Sequence, residues 1–253
     1  MSINKNRPYF TIITATYNCA TLLPRTADSL SAQDEQDFEW LVIDGSSSDQ
    51  TLDEIRRRSS IITYWISEPD SGISDAWNKG LTRAAGSYVL FLNAGDTYDP
   101  DFLRRVRGIA DGHRIVCSHA RLVSESGRLL GIFRAQPRKL YRGMHVPHNW
   151  CAVPIQYYTE FGRYKSTALS MDFAWFYEYF RKYGVSGFSV IPLPLGSYHL
   201  GGKSDVYYKE GFRMNERIIV EGGGNPVFSR LYRLAYTFNH WLQRQRTNFT
   251  LPS

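Results

Sequence analysis

The segment that most constrains the fold is an apolar run at residues 87–92, reading SYVLFL, which ends in the polar sequence Asn-Ala-Gly-Asp. Large apolar side chains at successive positions are typical of a strand that is buried on both faces of an α/β sheet. Ligands of such sheets gather at the carboxyl ends of the strands. Asp96 comes directly after this strand, and Gly95 allows the backbone to turn there. We therefore expect Asp96 at the functional edge of a sheet.

The first hundred residues alternate between strand and helix patterns. We predict strands at 9–15, 38–44, 61–67 and 88–92, and helices at 22–31, 50–58 and 74–85. Strands separated by helices of this length form βαβ units, whose strands are parallel. The sequence therefore predicts an α/β fold around a mostly parallel central sheet flanked by helices.

The pattern changes after about residue 114. Two strand patterns flank the turn-forming sequence SESG and predict a hairpin, because serine and glycine suit a tight reversal. The predicted elements are strands at 114–123, 128–133 and near 151–157, a proline-interrupted strand region at 188–200, and helices at 172–183, 206–221 and 227–246. We expect a mixed α+β second half that ends in helices.

Charge and composition restrict the partners of the chain. The net charge of +6 favours anionic partners such as nucleotide diphosphates, lipid head groups or nucleic acid. A basic balance is equally common in soluble proteins without such partners. Three cysteines without paired spacing fit a reducing compartment. Residues 1–8 lack the apolar segment of a signal peptide and no apolar run has membrane-spanning length, so we expect a cytoplasmic location.

Residues 227–246 place apolar side chains at helical spacing, with arginines beside them. A basic amphipathic helix with Trp and Phe on its apolar side is able to lie in a membrane interface. We expect contact with the inner face of the cell membrane. The same stripe would also serve to pack on the protein's own core or on a second copy of the chain, so a homodimer stays open.

Four acidic residues lie at strand ends or in the loops that follow them: Asp44, Asp70, Asp75 and Asp96. A bound nucleotide needs acceptors for its base and ribose hydroxyls, and its diphosphate needs a metal ion. Mg²⁺ and Mn²⁺ prefer one or two carboxylates together with substrate phosphates. Lys79, on the helix after Asp70, is a candidate for phosphate contact. Each aspartate also has a structural alternative as a cap or turn former, and the lysine as part of a solvated helix face.

The second half carries further candidate residues. Asp172 begins an aromatic helix, where it is either a capping residue or a general base held against apolar neighbours. His148 and His199 are candidates for contact with an acceptor or a diphosphate, although a lone histidine is more often structural. The sequence GGKS at 201–204 lacks the first glycine of a P-loop. Its amides and Lys203 are still candidates to close over a diphosphate.

Four segments, in order, resemble the motifs of family 2 glycosyltransferases of the GT-A fold. They read TIITATYN at 11–18, VIDGSSSDQT at 42–51, SEPDSGISDAWNKG at 67–80 and LNAGD at 92–96. The match continues through 147–148, 164–172 and 201–204, and so covers about residues 9–205. Within the family the chain is most similar to the bacterial colanic-acid and exopolysaccharide branch.

The resemblance implies a Rossmann-like GT-A fold and an inverting transfer of a sugar from a nucleotide-diphosphate sugar. It implies that Thr14, Tyr17 and Asp44 bind the base and ribose, and that Asp70 lines the same pocket. Asp96 stands in the family's Asp-x-Asp type motif and would bind Mg²⁺ or Mn²⁺.

Asp172 matches the family's catalytic base. Asn93 replaces the first acidic position of the metal motif, so the number of metal contacts stays open. His148 is followed by Asn149 and Trp150, where relatives usually carry Gln and a small residue, and that difference would alter the acceptor pocket. His199 has no assigned counterpart, and would complete metal binding or touch the diphosphate.

We expect a glycosyltransferase domain at residues 1–225, with a nucleotide-sugar half at about 9–113 and an acceptor half at about 114–205, followed by a basic helix and tail at 226–253. The expected acceptor is a lipid-linked glycan of bacterial surface polysaccharide biosynthesis.

Three other classes remain as alternatives. A nucleotidyltransferase would share the sheet and the metal, but usually carries a glycine-rich phosphate loop near its first strand. A non-catalytic, membrane-associated scaffold of a polysaccharide assembly complex would bind without turnover. A nucleic-acid binder would carry more Lys and Arg on its basic helix, so we expect no nucleic-acid partner.

Overall fold

The computed structural model describes residues 7–124, 126–165, 169–200 and 207–247, with side chains to residue 242. Within these ranges nine strands form one sheet. They are β1 Phe10–Thr16, β2 Phe38–Asp44, β3 Tyr64–Ser67, β4 Tyr88–Phe91, β5 Thr97–Tyr98, β6 Ile115–Val123, β7 Leu129–Phe133, β8 Cys151–Pro154 and β9 Phe188–His199.

The same ranges contain eight α-helices. They are α1 Leu23–Ser31, α2 Thr51–Arg57, α3 Ile73–Arg83, α4 Phe102–Ile109, α5 Gln156–Glu160, α6 Met171–Tyr183, α7 Tyr208–Glu221 and α8 Pro226–Thr247. Short 3₁₀ helices lie at Pro137–Arg142, His148–Trp150 and Val185–Gly187. No helix of the described ranges is long and apolar enough to cross a bilayer.

The sheet order is β3-β2-β1-β4-β8-β6-β9-β5, and β7 pairs with β6. The first four strands in that order are parallel, and they are the four strands predicted from the alternating pattern. The predicted α/β fold with a parallel core and flanking helices is therefore confirmed. Because the four strands are parallel, their carboxyl ends lie at one edge of the sheet.

The sheet continues without a break into the second half of the chain. β8 pairs antiparallel with both β4 and β6, and the predicted hairpin of β6 and β7 is present. β9 runs parallel to β6 as one long strand, although its sequence contains two prolines. The pairing shifts register around Pro194, because proline has no amide hydrogen for the ladder and is tolerated where the ladder is irregular. The proposed division near residue 113 stays a prediction.

Two elements between residues 97 and 109 were not predicted from the sequence. β5 has two residues, too few to give a periodic pattern. α4 carries three arginines and a glycine, and it is held by a narrow stripe in which Phe102, Leu103 and Val106 are buried. The strand expected to reach residue 157 ends at Pro154, and α5 follows it.

Two apolar layers cover the sheet, because successive residues of a strand point to opposite faces. Ile13 packs in one layer with Trp77 of α3, and this layer also contains the aromatic side chains of α6. Ile12 packs in the other layer with Leu23 of α1. Each large buried side chain of this kind contributes roughly 1.5–3 kcal/mol.

A substitution at Gly196 tests the close packing of β9 against Thr97 and Trp150. A Cβ atom at this position would lie 2.2 Å from the carbonyl oxygen of Thr97 and 2.2 Å from Nε1 of Trp150. We expect Gly196→Ala to lower the free energy of unfolding by about 1–3 kcal/mol through overpacking, as measured by urea denaturation. Gly108→Ala is the matched control, because a Cβ atom there meets nothing within 4 Å on α4, and it should stabilise by about 0.5–1 kcal/mol. Equal denaturation midpoints for the two variants would contradict this packing.

Candidate active site

Asp44 ends β2 and is completely buried. Its carboxylate accepts hydrogen bonds from Oγ1 of Thr16 at 2.9 Å, Oγ of Ser67 at 2.7 Å, and the amide and hydroxyl of Ser47 at 2.9 and 2.5 Å. Thr16 ends β1 and Ser67 ends β3. One carboxylate therefore joins the ends of three neighbouring strands and fixes the loop that leaves β2.

The loops after β1 and β2 are joined by Asn18. Its side-chain oxygen accepts hydrogen bonds from the amides of Ser48 and Asp49 at 2.8 and 3.3 Å, and its own amide donates to Ser47 at 2.8 Å. Asp49 accepts a hydrogen bond from the amide of Thr51, the first residue of α2, at 2.9 Å. The edge of the sheet is consequently rigid at this point.

Tyr17 and Thr14 occupy different environments, although the resemblance implied one role for both. Tyr17 is 64% exposed at the sheet edge, so its ring is free to stack on a flat ligand. Thr14 lies inside β1, is fully buried, and accepts a hydrogen bond from the indole of Trp40 at 2.9 Å. The structure therefore places Tyr17 at the edge and Thr14 in the core beneath it.

Asp70 lies close to the loop that Asp44 organises. A Cβ atom on Gly45 would meet Oδ2 of Asp70 at 2.5 Å, so a larger residue at position 45 would require the Asp70 side chain to move. Oδ1 of Asp70 accepts from the amide of Gly72 at 2.9 Å and shapes the turn into α3. The structure thus brings together two of the sequence-predicted aspartates.

Lys79 and Asp75 lie on α3 and form an internal network. Nζ of Lys79 contacts Oε1 of Glu68 at 2.9 Å, the carbonyl oxygen of Pro69 at 2.8 Å and Oδ2 of Asp75 at 3.7 Å. Burial opposes the charge of Lys79, but the hydrogen bond and charge of Glu68 and the charge of Asp75 outweigh it, so the pKa of Lys79 is raised. Lys79 therefore ties the loop before α3 to that helix.

Asp96 is 3% exposed and lies where β4 meets the second half of the chain. Its Oδ2 accepts from Nδ2 of Asn149 at 2.5 Å, and its Oδ1 accepts from the backbone amide of His199 at 3.0 Å. Asn149 is itself held through its carbonyl oxygen, which accepts from the hydroxyl of Tyr98 at 2.6 Å. Gly95, with φ of +99°, permits the turn that points Asp96 inward.

Two unpartnered polar atoms belong to the residues around Asp96. Oδ1 of Asn93 and Nδ1 of His199 are buried and have no hydrogen-bond partner. Burial, followed by the nearby charge of Arg25, lowers the pKa of His199, so the ring is neutral at pH 7 and keeps a lone pair. Buried polar atoms of this kind each cost about 1–3 kcal/mol unless something pairs with them.

The donor set around Asp96 fits a divalent cation that also binds phosphates. One carboxylate, one amide oxygen and one neutral imidazole are ligands that Mn²⁺ accepts, and Mg²⁺ accepts the oxygens. Among the described residues no cluster of three His, Cys, Asp or Glu side chains could hold a metal ion alone. These residues could therefore supply only part of a coordination shell, and a metal ion at this place would need further ligands, such as a bound diphosphate or water.

Asp172 lies in the first turn of α6, immediately after Ser170 and Met171. Its Oδ1 accepts a hydrogen bond from the amide of Phe173 at 2.8 Å. Burial raises the pKa of Asp172 from its ordinary value, against the lowering effect of the amides at the helix start. No cation pairs with Asp172 in the part of the chain that the structure describes. Such a carboxylate is suited to accept a proton.

His148 is buried among aromatic rings, next to Trp77, Phe91 and Phe176. Its Nε2 lies 2.9 Å from the hydroxyl of Tyr164. Burial lowers the pKa of His148 to about 3, so the ring is neutral. The structure therefore places His148 in the core and not on an open surface.

Asn149 is the site residue whose role sequence reasoning missed. It was singled out only as a departure from its relatives, while its contact with Asp96 joins residues 53 positions apart in the chain. That departure was the one available signal. Lys203 and the loop at 201–204 lie outside the described residues.

Comparison with known proteins gives one family. The model described as Glycosyl transferase family 2 matches residues 11–176, more than half of the chain. The matched region begins in β1 and ends in α6, and thus includes Asp44, Asp96 and Asp172.

Curated relatives align with less than half of this chain. A PGL/p-HBAD biosynthesis glycosyltransferase of Mycobacterium bovis is 38% identical over 114 residues, which are 42% of this chain and 43% of the relative. TuaG of Bacillus subtilis, assigned to teichuronic acid biosynthesis, is 32% identical over 102 residues, which are 39% of this chain and 40% of that protein. The chain thus spans less than half the length of the relatives it matches.

Solved structures resemble almost the whole chain. TarS 1–349 of S. aureus has a TM-score of 0.63 at 20% identity, over 94% of this chain and 73% of that one. The mannosyltransferase PcManGT from Pyrobaculum calidifontis, in complex with GDP-Man and Mn²⁺, has a TM-score of 0.65 at 19% identity, over 94% and 72%. At this identity the likeness establishes the GT-A fold.

Proposed function

The chain belongs to glycosyl transferase family 2, and from that premise we propose that it is an inverting glycosyltransferase. It moves a sugar from a nucleotide-diphosphate sugar to a hydroxyl group of a lipid-linked glycan. The observation that carries this proposal is the arrangement around Asp96. One fixed carboxylate stands with the unpartnered atoms of Asn93 and His199 at the edge where ligands of such sheets bind.

The nucleotide binds across the ends of β1, β2 and β3. The exposed ring of Tyr17 stacks on the base, and the loop fixed by Asp44 offers acceptors to the base and the ribose. Asp70 lies over Gly45 and lines the same pocket. Thr14 supports this pocket from the core, and the network of Asp75 and Lys79 holds its far wall.

The diphosphate binds at Asp96. Mn²⁺ or Mg²⁺ would be held by Asp96, with Asn93 and His199 as neutral ligands, and when bound it supplies Lewis-acid stabilisation of the departing diphosphate. Asn149 and the amide of His199 keep the Asp96 carboxylate in one orientation, as groups behind a metal ligand commonly do. Lys203, which lies outside the described residues, stays a candidate donor to the diphosphate from the sequence alone.

Asp172 acts as the general base. Its carboxylate accepts the proton of the acceptor hydroxyl as the oxygen attacks the anomeric carbon from the face opposite the diphosphate, so the anomeric configuration inverts. Its raised pKa makes it a stronger proton acceptor than an exposed aspartate. A positioned base of this kind contributes about 10²–10⁴-fold to the rate. His148, packed among buried aromatic rings, supports the half of the protein that binds the acceptor.

The outer face of α8 contacts the inner surface of the cell membrane, where a lipid-linked acceptor resides. Leu231, Leu234, Phe238 and Trp241 are 47–59% exposed, whereas Ser229 on the opposite face is 4% exposed. These apolar side chains of α8 therefore do not pack on the described core. Of the three partners considered from the sequence, the membrane and a second copy of the chain remain. Relatives in PGL and teichuronic acid biosynthesis support a role in cell-surface glycan assembly.

The proposed function is tested by a panel of UDP-sugars and GDP-sugars with Mn²⁺ or Mg²⁺. We expect thermal stabilisation and slow, metal-dependent release of the nucleotide with one donor. Asp96→Ala should lose the metal-dependent part of donor binding, because it removes the charged ligand, while Asp28→Ala, an exposed aspartate on α1, should leave it intact. A folded protein that responds to no nucleotide would favour the scaffold function, and an unchanged Mn²⁺ response in Asp96→Ala would overturn the metal assignment.

Asp172→Asn should abolish transfer and retain donor binding. The transfer rate of the wild type should begin to fall, as the pH is lowered, at a higher pH than for an ordinary aspartate, because the pKa of Asp172 in the folded protein is raised.

The raised pKa also predicts an effect on stability, because the charged form of Asp172 is unfavourable in the folded state. Asp172→Asn should therefore have a free energy of unfolding at least equal to that of the wild type at neutral pH. As the pH falls towards that pKa, the free energy of unfolding of the wild type should rise relative to that of the variant. Glu178→Gln on the same helix is the control and should keep the transfer rate. Substantial transfer by Asp172→Asn would remove Asp172 as the base.

Membrane contact is tested with Phe238→Gln and Trp241→Gln together, since glutamine keeps helix propensity. We expect at least tenfold weaker binding to vesicles containing anionic lipids, because two large apolar side chains no longer leave water. Asn239→Gln is the control on the same helix. If the wild type does not bind vesicles but sediments as a dimer, and the double variant sediments as a monomer, this face contacts a second copy of the chain instead.

A further inference from the structure

A cavity lies between one face of α7, the inner face of α8, and the segment formed by the end of the 3₁₀ helix Pro137–Arg142 and the residues that follow it. The space between these elements is about 400 Å³, which includes open solvent. Its walls include Arg142, His145, Phe212, Asn215, Arg233 and Tyr236. None of these residues belongs to the donor site around Asp44 and Asp96.

The cavity holds one unpartnered acceptor and one guanidinium without an acidic partner. Oδ1 of Asn215 is buried and has no hydrogen-bond partner. Within the described residues Arg142 pairs with no carboxylate; its Nε donates to the Tyr141 hydroxyl at 2.8 Å, and its guanidinium lies 4.6 Å from the ring centre of Tyr232. Arg142 therefore keeps donors for a ligand.

The other polar groups of the cavity are already satisfied. Arg233 forms an ion pair with Glu216. Nε2 of His145 is hydrogen-bonded to the hydroxyl of Tyr236. Burial, with the charges of Lys139 and Arg142, lowers the pKa of His145 to about 4, so it adds no positive charge. The cavity as a whole is only weakly cationic.

These groups discriminate among ligand classes. An anion would pair with Arg142, but it would leave Oδ1 of Asn215 unsatisfied and would face Glu216. An acyl chain would leave both polar groups unsatisfied, at a cost for each. Sugar hydroxyls donate to one group and accept from the other, and sugar C–H faces pack on rings such as Phe212 and Tyr236, whose centroids are 6.1 Å apart.

We propose that this cavity is a saccharide subsite, which holds a neutral sugar unit of the acceptor away from the reacting hydroxyl. The proposal rests on the proposed function. Its position supports it, since Oγ of Ser170 donates to the carbonyl oxygen of Gly211 at 3.2 Å and so ties α7 to the start of α6, two residues before Asp172. Asn215 lies about 6 Å further along α7.

The location also relates the cavity to the membrane. α8 lines the cavity with Ser229, Arg233 and Tyr236, and exposes Leu234 and Phe238 on its other side. An acceptor whose lipid lies in a bilayer under the outer face would present its first sugars beside the inner face. The reacting sugar would then extend towards Asp172.

The test uses Asn215→Leu, which removes the unpartnered oxygen and keeps the size of the side chain. We expect it to weaken binding of matching methyl glycosides by about tenfold, since one buried hydrogen bond is lost, in saturation-transfer NMR with a panel of neutral hexosides, 6-deoxyhexosides and N-acetylhexosaminides. Its melting temperature should stay equal or rise, because the empty cavity no longer contains an unsatisfied polar atom. A merely structural asparagine would lower the melting temperature instead. Asn239→Leu, on the exposed side of α8, is the matched control and should bind as wild type.

Arg142→Met removes the donor from the other side of the cavity and should weaken the same glycosides. It keeps the proposal testable if Asn215→Leu does not fold. Wild type that binds no glycoside of the panel, equal affinities in wild type and both cavity variants, or displacement of the glycoside by inorganic phosphate would each overturn the proposal.

Donor nucleotide with Mn²⁺ is measured on the same samples. A nucleotide response without glycoside binding would reject the subsite and keep the proposed function. Glycoside binding that depends on Asn215, without any nucleotide response, would reject the glycosyltransferase proposal and leave a saccharide-binding cavity.

Discussion

The buried carboxylate of Asp44 is the interaction on which the donor side of the molecule depends. It accepts four hydrogen bonds, from the ends of β1 and β3 and from the loop that leaves β2. A charged acceptor with this many donors is satisfied without a cation, and it joins the ends of three neighbouring strands. The exposed ring of Tyr17 and the carboxylate of Asp70 owe their positions to this frame. Contacts within the protein therefore hold this frame.

The second constraint is that a single carboxylate joins the two halves of the chain. Asp96 follows a parallel strand of the first half, while two groups that orient it, Asn149 and the amide of His199, come from the second half. Asn93, beside Asp96 in the sequence motif, adds no negative charge to the site. A cation held there would therefore depend on the charge of a diphosphate, which couples metal binding to donor binding. Helix α8 has two different faces. Its inner face lines a cavity, while its outer face is apolar and exposed.

Sequence patterns predicted the parallel half closely and the site in part. The predicted strand at 38–44 coincides with β2, β3 and β4 lie within their predicted regions, and β1 is shifted by one residue from the predicted 9–15, because a buried parallel strand leaves a continuous apolar run. The same patterns missed β5, whose two residues give no period, and α4, whose narrow apolar stripe is accompanied by three arginines and a glycine. Roles of Thr14 and His148 are harder to predict, since a motif match does not report whether a side chain points to the core or to the edge.

The sequence by itself determined the family, the α/β class and the strand ends at which Asp44 and Asp96 appear, since these follow from local apolar runs and from motifs of contiguous residues. Only the tertiary structure decided which partners these residues meet. Asn149 lies on the Asp96 carboxylate, Lys79 is held by neighbouring acids, and Asn215 is left without a partner inside a cavity. The physical reason is that hydrogen bonds and burial depend on distances between residues far apart in the chain, and such distances exist only once the sheet has formed.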